Sequence, residues 1–136
     1  MGSVSSPLTS DASGVVAVGY ESLKNLSSGQ GNVAIGFQAL NAEDDGDFNT
    51  AVGHQALTAQ TGTSGTVGNT AMGYQSGLAI TKGRYSTAIG YRALYTEDVG
   101  DQSVAFGYQT MYSQNSDSDN ETTGNTAVDT EQDIEM

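Results

Sequence analysis

His54 is the only histidine of this chain, and histidine is the side chain best suited to general-base catalysis or metal binding. A catalytic base needs a nucleophile and an orienting partner, and no spacing in the sequence places either beside His54. The chain has no cysteine, which excludes a thiolate nucleophile and a cysteine-based zinc site. A three-histidine metal site would require three copies of His54 to face one axis. We therefore interpret His54 as a packing residue and expect no enzyme activity, no catalytic residue, no cofactor and no metal site.

Three acidic segments carry the oxygen ligands that calcium prefers: "EDDGD" at 43–47, "EDVGD" at 97–101 and "DSDNE" at 117–121. The last alternates its acids as a calcium loop does, but it lacks the required glycine at the sixth place and the distal glutamate. None of the three matches the glycine-rich nonapeptide of calcium-binding rolls. The sequence favours solvated turns, with occasional calcium binding as the alternative.

The overall charge limits the classes of partner. The chain has 4 Lys and Arg against 16 Asp and Glu, a net charge of −12. Such a surface repels phosphate backbones and anionic lipids, so we expect no nucleic-acid partner and no membrane partner. No apolar run approaches the roughly 20 residues that span a bilayer.

The chain repeats itself with a period of 17 residues. Taking as anchor the glycine that follows alanine and one further apolar residue, the spacings are 17, 17, 20, 17 and 17. The anchor glycines are Gly19, Gly36, Gly53, Gly73, Gly90 and Gly107. A seventh copy begins at "GNTAV" (124–128), where Asp129 then stands in place of the glycine. Six copies in register indicate a repeat architecture.

Stacking the copies predicts columns of like side chains. The apolar column is Val18, Ile35, Val52, Met72, Ile89 and Phe106, and the aromatic column is Tyr20, Phe37, His54, Tyr74, Tyr91 and Tyr108. Gln38, Gln55, Gln75 and Gln109 form an amide column in which Glu21 and Arg92 stand as substitutes.

Each copy is too short and too rich in glycine for a stable helix, and it is read as a short strand, a bend and a second short strand. In such a strand Thr50, Val52 and His54 share one side, and Ala51, Gly53 and Gln55 share the other. Parallel stacking then predicts an all-β solenoid of about six 17-residue coils. We expect its Gly and Ala columns to leave a flat face that another backbone could approach.

Two further expectations concern assembly and domain organisation. One coil offers too few apolar side chains to offset the ordering of its residues, which predicts an obligate oligomer. The repeats define a β-roll domain at 14–112, preceded by a polar leader at 1–13. The acidic tail at 113–136 includes the partial seventh copy and is expected to cap the solenoid or to dock onto a neighbouring protein.

The segments "GNVAIGFQAL", "FNTAVGHQAL" and "YSTAIGYRAL" resemble the head repeats of trimeric autotransporter adhesins, whose motif is Asn-Ser-Val-Ala-Ile-Gly. They look closer still to the Asn-Thr-Ala-Val-Gly-Tyr-Gln-Ala-Leu repeats of bacteriophage tail fibres and other viral surface proteins. The resemblance covers about residues 14–111. It implies a left-handed parallel β-roll in which three identical chains wind side by side around a three-fold axis.

The same resemblance directs the expected function. The sequence shows no secretory signal, heptad stalk or membrane anchor, which favours a virion component assembled in the host cytoplasm. We therefore expect a non-enzymatic structural protein of a bacteriophage, either a capsid decoration or a short fibre or knob segment. Its partners would be a second and a third copy of itself, as a homotrimer, and capsid or tail proteins. A host-surface receptor is a further candidate partner. The alternative is a head fragment of a trimeric adhesin on a bacterial cell surface.

Overall fold

The computed structural model describes residues 12–62, 64–114 and 124–129, and this part of the chain is all β with no helix. It therefore holds no helix that could cross a membrane. The nine strands of this part are β1 (Val16–Val18), β2 (Val33–Ile35), β3 (Gly46–Asp47), β4 (Thr50–Val52), β5 (Gly65–Thr66), β6 (Thr70–Met72), β7 (Thr87–Ile89), β8 (Val104–Phe106) and β9 (Thr126–Val128).

Seven of these strands form one parallel sheet, in the order β1-β2-β4-β6-β7-β8-β9. The register sets equivalent repeat positions side by side, as where Ala17 pairs with Ala34 and Ala51 pairs with Ala71. The chain is therefore a parallel β-solenoid of about five turns, which confirms the predicted fold class at this level. We call each turn a rung: rungs 1 to 5 are residues 15–31, 32–48, 49–68, 69–85 and 86–102, and rung 6 begins at 103.

The 20-residue spacing has a local explanation in rung 3. Its additional residues lie between Gln60 and Val67, and part of them forms β5. This strand pairs in parallel with β3 of rung 2, where Gly46 lies opposite Gly65. The main sheet keeps its register across the longer rung, since Thr50 still pairs with Thr70.

Each main-sheet strand in rungs 1 to 6 ends at a glycine because the neighbouring rung leaves no room for a side chain. Gly53 has φ +139°, and a Cβ atom there would lie 2.3 Å from the carbonyl oxygen of Gly73. The bend then takes two more residues into the left-handed region, here Gln55 (φ 57°) and Leu57 (φ 49°). Gly77 replaces the leucine in rung 4 with φ 59°, so the departure from the repeat falls where glycine is favoured.

Alanine and leucine fill the interior of the solenoid. The inward-facing residues are the strand alanines Ala34, Ala51, Ala71, Ala88 and Ala105, and the bend leucines Leu23, Leu40, Leu57 and Leu94. The expectation that the alanine column lines a face open to another backbone is wrong, because these alanines are at most 1% exposed. A coil this narrow has room for only small side chains where its walls approach one another, so the bulky column points outward.

The leader and the acidic tail are described only in part. Residues 1–11, 115–123 and 130–136 lie outside the described residues, and with them most of both segments. The partial seventh copy forms β9, which pairs with β8. The tail thus adds one strand to the sheet, and its proposed capping or docking role stays a prediction.

Candidate assembly surface

The outward side of the main sheet carries three adjacent columns of side chains, which we call the outer strip. Its members are the residues before each strand alanine, the residues after it, and the residues after each anchor glycine. They are Val16, Val33, Thr50, Thr70, Thr87 and Val104; Val18, Ile35, Val52, Met72, Ile89 and Phe106; and Tyr20, Phe37, His54, Tyr74, Tyr91 and Tyr108. Eleven of the thirteen exposed large hydrophobic side chains in the described part belong to this strip or continue it at Val128, with exposures of 40–64%.

The aromatic column is a continuous stack of rings. Neighbouring centroids lie 4.9–5.5 Å apart and neighbouring planes are within 22° of parallel. His54 lies between Phe37 and Tyr74, at 4.9 Å and 5.2 Å. Because the rings face one another along the solenoid axis, they present their edges outward, and the imidazole of His54 occupies a packing position.

The amide column borders the outer strip and has a fixed direction. Gln38 donates to Glu21 at 2.9 Å, Gln55 to Gln38 at 3.1 Å and Gln75 to Gln55 at 2.8 Å. Arg92 ends this series by donating from Nε to Gln75 at 2.9 Å. An acceptor-only side chain and a donor-only side chain therefore stand at its two ends. Hydrogen bonds from Lys24 and then Gln38 lower the pKa of the Glu21 carboxyl.

Charge is segregated from the outer strip. None of its 18 positions holds Asp, Glu, Lys or Arg. The acids of the described part lie elsewhere, mainly in the acidic loops of rungs 2 and 5, where Asp44 is exposed and Asp45 and Asp98 are half-buried. A protein of net charge −12 thus keeps one long face free of charged side chains.

Sequence reasoning missed a buried column of polar residues at the start of rungs 2 to 6. Asn32, Asn49 and Asn69 are fully buried, and each side-chain oxygen accepts the backbone N–H of the residue that begins the next rung, at 2.8–3.0 Å. The Asn32 amide also donates to the carbonyl of Gly46 at 2.7 Å. The signal that could have revealed this column was the recurrence of asparagine at one repeat position.

The acidic loops at 43–47 and 97–101 are structural parts of their rungs. The expectation of solvated turns is wrong for Glu43 and Glu97, which are fully buried. Oε1 of Glu43 accepts the backbone N–H of Gly46 at 2.8 Å, and Oε1 of Glu97 accepts that of Gly100 at 2.9 Å. A narrow turn buries its own backbone donors, so a carboxylate inside the loop serves as their acceptor.

Burial raises the pKa of the Glu43 carboxyl to about 7. The backbone N–H groups of Gly46, Asp44 and Asp45 oppose this shift. The side-chain amide of Asn49 also donates to Oε2 of Glu43, at 3.1 Å. Removal from water outweighs them, and the nearby charge of Asp45 adds to the rise.

Two aspartates of these loops accept hydrogen bonds from side chains of the preceding rung. Ser27 donates its hydroxyl to Asp44, and Thr81 donates its hydroxyl to Asp98. In the described part of the chain, no group of three or more His, Cys, Asp or Glu side chains is placed to hold a metal ion. The acidic segment at 117–121 lies outside the described residues.

The geometry therefore brings the apolar and aromatic columns together on one outward face. The carboxylates of the acidic loops instead accept hydrogen bonds within their own rung and from the preceding rung. Comparison with protein-family models, with curated proteins and with solved structures finds no match to this chain.

Proposed function

We propose that this chain is a non-enzymatic structural protein that assembles as a homotrimer through the outer strip and forms a rigid surface projection. The observation that carries the proposal is the strip itself, an uncharged apolar and aromatic face that continues through six rungs. Apolar patches of this continuity mark sites of association.

The size of the outer strip suits a protein interface. Six rungs at about 4.8 Å extend for about 30 Å, and the four residue steps from the first column to the third span about 13 Å. The flat footprint is then roughly 400 Å², before the relief of the side chains is counted, and patches of this size are often functional.

The periodicity of the outer strip favours a second copy of the same chain as its occupant. The strip presents nearly equivalent side chains at every rung, so a partner that makes equivalent contacts throughout must repeat at the same spacing. This chain has that spacing. Three copies around an axis, with a left-handed winding of each chain, is the arrangement implied by the repeat resemblance.

We propose the role of a virion component, a bacteriophage capsid decoration or a short fibre or knob segment assembled in the host cytoplasm. The support is the resemblance of "NTAVGHQAL" and its copies to viral surface repeats. The mechanism is mechanical: hydrogen-bonded rungs and interchain packing stiffen the rod, and one end docks onto capsid or tail proteins. A host-surface receptor could bind the free end.

A second candidate is the head of a trimeric autotransporter adhesin at a bacterial cell surface. It is favoured by Val33, Ala34, Ile35 and Gly36, which match the last four residues of the adhesin motif. The two candidates share the assembly and differ in what the free end meets.

Sedimentation equilibrium of the full chain tests the assembly. We expect the mass of three chains for the wild type, and dissociation on Ile89→Asp, which sets a charge in the middle of the outer strip. Asp45→Asn, a change of charge outside the strip, is the control and should leave the trimer intact. A folded wild-type monomer at micromolar concentration would refute the proposal. Co-sedimentation with capsid or tail proteins supports the virion role, and binding to immobilised matrix protein or cells supports the adhesin.

A further inference from the structure

Among the residues that the structure describes, two exposed large hydrophobic side chains lie outside the outer strip: Phe48 and Tyr85, which are 54% and 48% exposed. Both occupy the last position of a rung, directly before the buried residue that starts the next one. Both have positive φ, 62° and 57°. They stand in one column with Gly31, Gly68 and Gln102, which also have positive φ, at 62°, 67° and 62°.

Each of these two rings lies over a glycine of the preceding rung. The nearest ring carbon of Phe48 is 2.7 Å from the point where a Cβ of Gly31 would sit, and that of Tyr85 is 3.3 Å from the same point at Gly68. The rings are thus held against the surface and remain open to solvent on their other side. We call Phe48 and Tyr85 the leading margin.

The order of residues along a rung places the leading margin beside the first column of the outer strip, whereas the aromatic column forms the opposite edge of the strip. The chain passes from the last position of one rung through the strand to the aromatic residue of the next. Tyr85 and Tyr91 are therefore separated by six residues of mostly extended chain, up to about 20 Å. The face has two aromatic borders of different composition.

Cyclic symmetry gives these two borders complementary roles. In a three-fold assembly the contacts are heterologous: a patch on one copy meets a different patch on the next. With the centre of the strip toward the axis, the leading margin of each copy meets the aromatic column of its neighbour. An axis parallel to the solenoid also keeps equivalent rungs at equal heights.

We propose that Phe48 and Tyr85 of one copy pack against the aromatic column of an adjacent copy of this chain, Phe48 near Phe37 and His54, and Tyr85 near Tyr74 and Tyr91. This inference rests on the proposed trimer. The occupant is a second copy because the aromatic column repeats from rung to rung along the solenoid, and a copy of this chain presents its own rings at that same spacing. The alignment is parallel and in register.

Cross-linking tests the contact directly, because the wild-type chain has no cysteine. The double variant Tyr85→Cys/Tyr91→Cys, treated with a short bifunctional maleimide, should give covalent dimers and trimers. Each single variant should stay monomeric on a denaturing gel, because a heterologous contact does not bring equivalent positions together. Asp45→Cys/Tyr91→Cys is the control pair and should give no ladder.

A second measurement removes the rings without disturbing the backbone. Phe48→Gly/Tyr85→Gly reproduces the glycines found at the same position in rungs 1 and 3, so each rung should fold unchanged. We expect the concentration at which the trimer dissociates to rise at least tenfold, because buried aromatic anchors dominate interface energetics. Gln102→Gly, in the same column, should leave it unchanged.

The outcomes separate this inference from the proposed function. A trimeric wild type that gives no ladder from the cysteine pair, or whose dissociation is unchanged in the glycine variant, overturns the margin contact alone. Cross-linking within either single variant likewise overturns it, since equivalent positions would then be neighbours. A monomeric wild type overturns both proposals.

Discussion

Glu43 gives the fold a pH dependence whose sign can be derived from the structure. Its carboxyl is fully buried, and burial raises its pKa from 4.5 to about 7. Between these two values the folded chain binds more protons at this group than the unfolded chain does. Protonated Glu43 therefore contributes its full stabilisation of the folded state below pH 4.5. This contribution falls as the pH rises from 4.5 to about 7 and does not change further above that.

The size of the effect follows from the width of the window. Each pKa unit corresponds to about 1.4 kcal/mol, so a rise from 4.5 to about 7 amounts to about 3 kcal/mol of destabilisation on completing the titration. That is a large share of the stability of a small domain.

The substitution Glu43→Gln isolates this contribution. Glutamine keeps one oxygen for the N–H groups of Asp44 and Gly46 but turns an amide N–H toward the side-chain amide of Asn49, so one hydrogen bond is lost. We expect the variant to be about 1 kcal/mol less stable than the wild type at pH 4.5. At pH 8 it should be about 2 kcal/mol more stable, because it carries no charge that must be buried.

The assay is urea denaturation from pH 4.5 to 8.5 at one fixed protein concentration, since assembly makes apparent stability depend on concentration. Gln60→Glu is the matched variant that introduces a carboxyl at the equivalent position of the next rung. The amide of Gln60 there donates to the carbonyl of Thr81 at 3.0 Å. The variant should add a loss of stability with rising pH. Parallel stability curves for the wild type and Glu43→Gln across the whole range would refute the reasoning.

Three further predictions follow from the rungs and their surfaces. Gly53→Ala should cost about 3 kcal/mol or more, seen as a lowered thermal midpoint, because its Cβ would meet a backbone oxygen; Gly65→Ala also has positive φ but open space around it, and it should cost less. Leu57→Ala should lower the free energy of unfolding by about 2–5 kcal/mol at any protein concentration. Val52→Ala or Ile89→Ala should lower it by about 1–4 kcal/mol and also weaken the trimer, so that dilution enlarges the effect. If sedimentation showed the same dependence on dilution for the Leu57 and the Val52 or Ile89 variants, this expectation would be wrong. EDTA should leave the thermal midpoint unmoved, and a drop of many degrees would point to a cation held by the acidic segments.

The strands and their register could be predicted from the sequence, because the repeated copies stack with equivalent residues next to one another. The division into two sides was also readable: in β4 and the bend after it, Ala51 is buried while Val52 and His54 face outward. Which side is the interior could not be read. Larger apolar residues are usually buried, yet the inward strand position is filled by alanine, and the leucines of the bends fill the rest of the interior.

The buried polar residues could not be predicted for a different reason. Glu43 lies in a run of acids that has the composition of a solvent-exposed loop, and only the turn geometry brings its carboxylate to the buried N–H of Gly46. Asn49 has the sequence context of an ordinary turn residue. In the folded chain its side-chain oxygen accepts the backbone N–H of Asn69 in the next rung. Both roles depend on contacts between parts of the chain that are separated in sequence.

The contacts between rungs also explain why acidic loops occur in rungs 2 and 5 and not in adjacent rungs. The rung before each acidic loop has a hydroxyl residue at the matching position. Ser27 therefore donates its hydroxyl to Asp44, and Thr81 donates its hydroxyl to Asp98. Asp47 and Asp101 accept the backbone N–H groups of Gln30 and Arg84, each at 2.8 Å. Two acidic loops in direct contact would offer acceptors to acceptors and bring like charges within about 5 Å, at a cost of about 1 kcal/mol per pair even in water. A chain with 16 acidic residues can therefore stack its rungs only if the acidic loops are kept apart, and the order of the repeats is part of what makes this sequence fold.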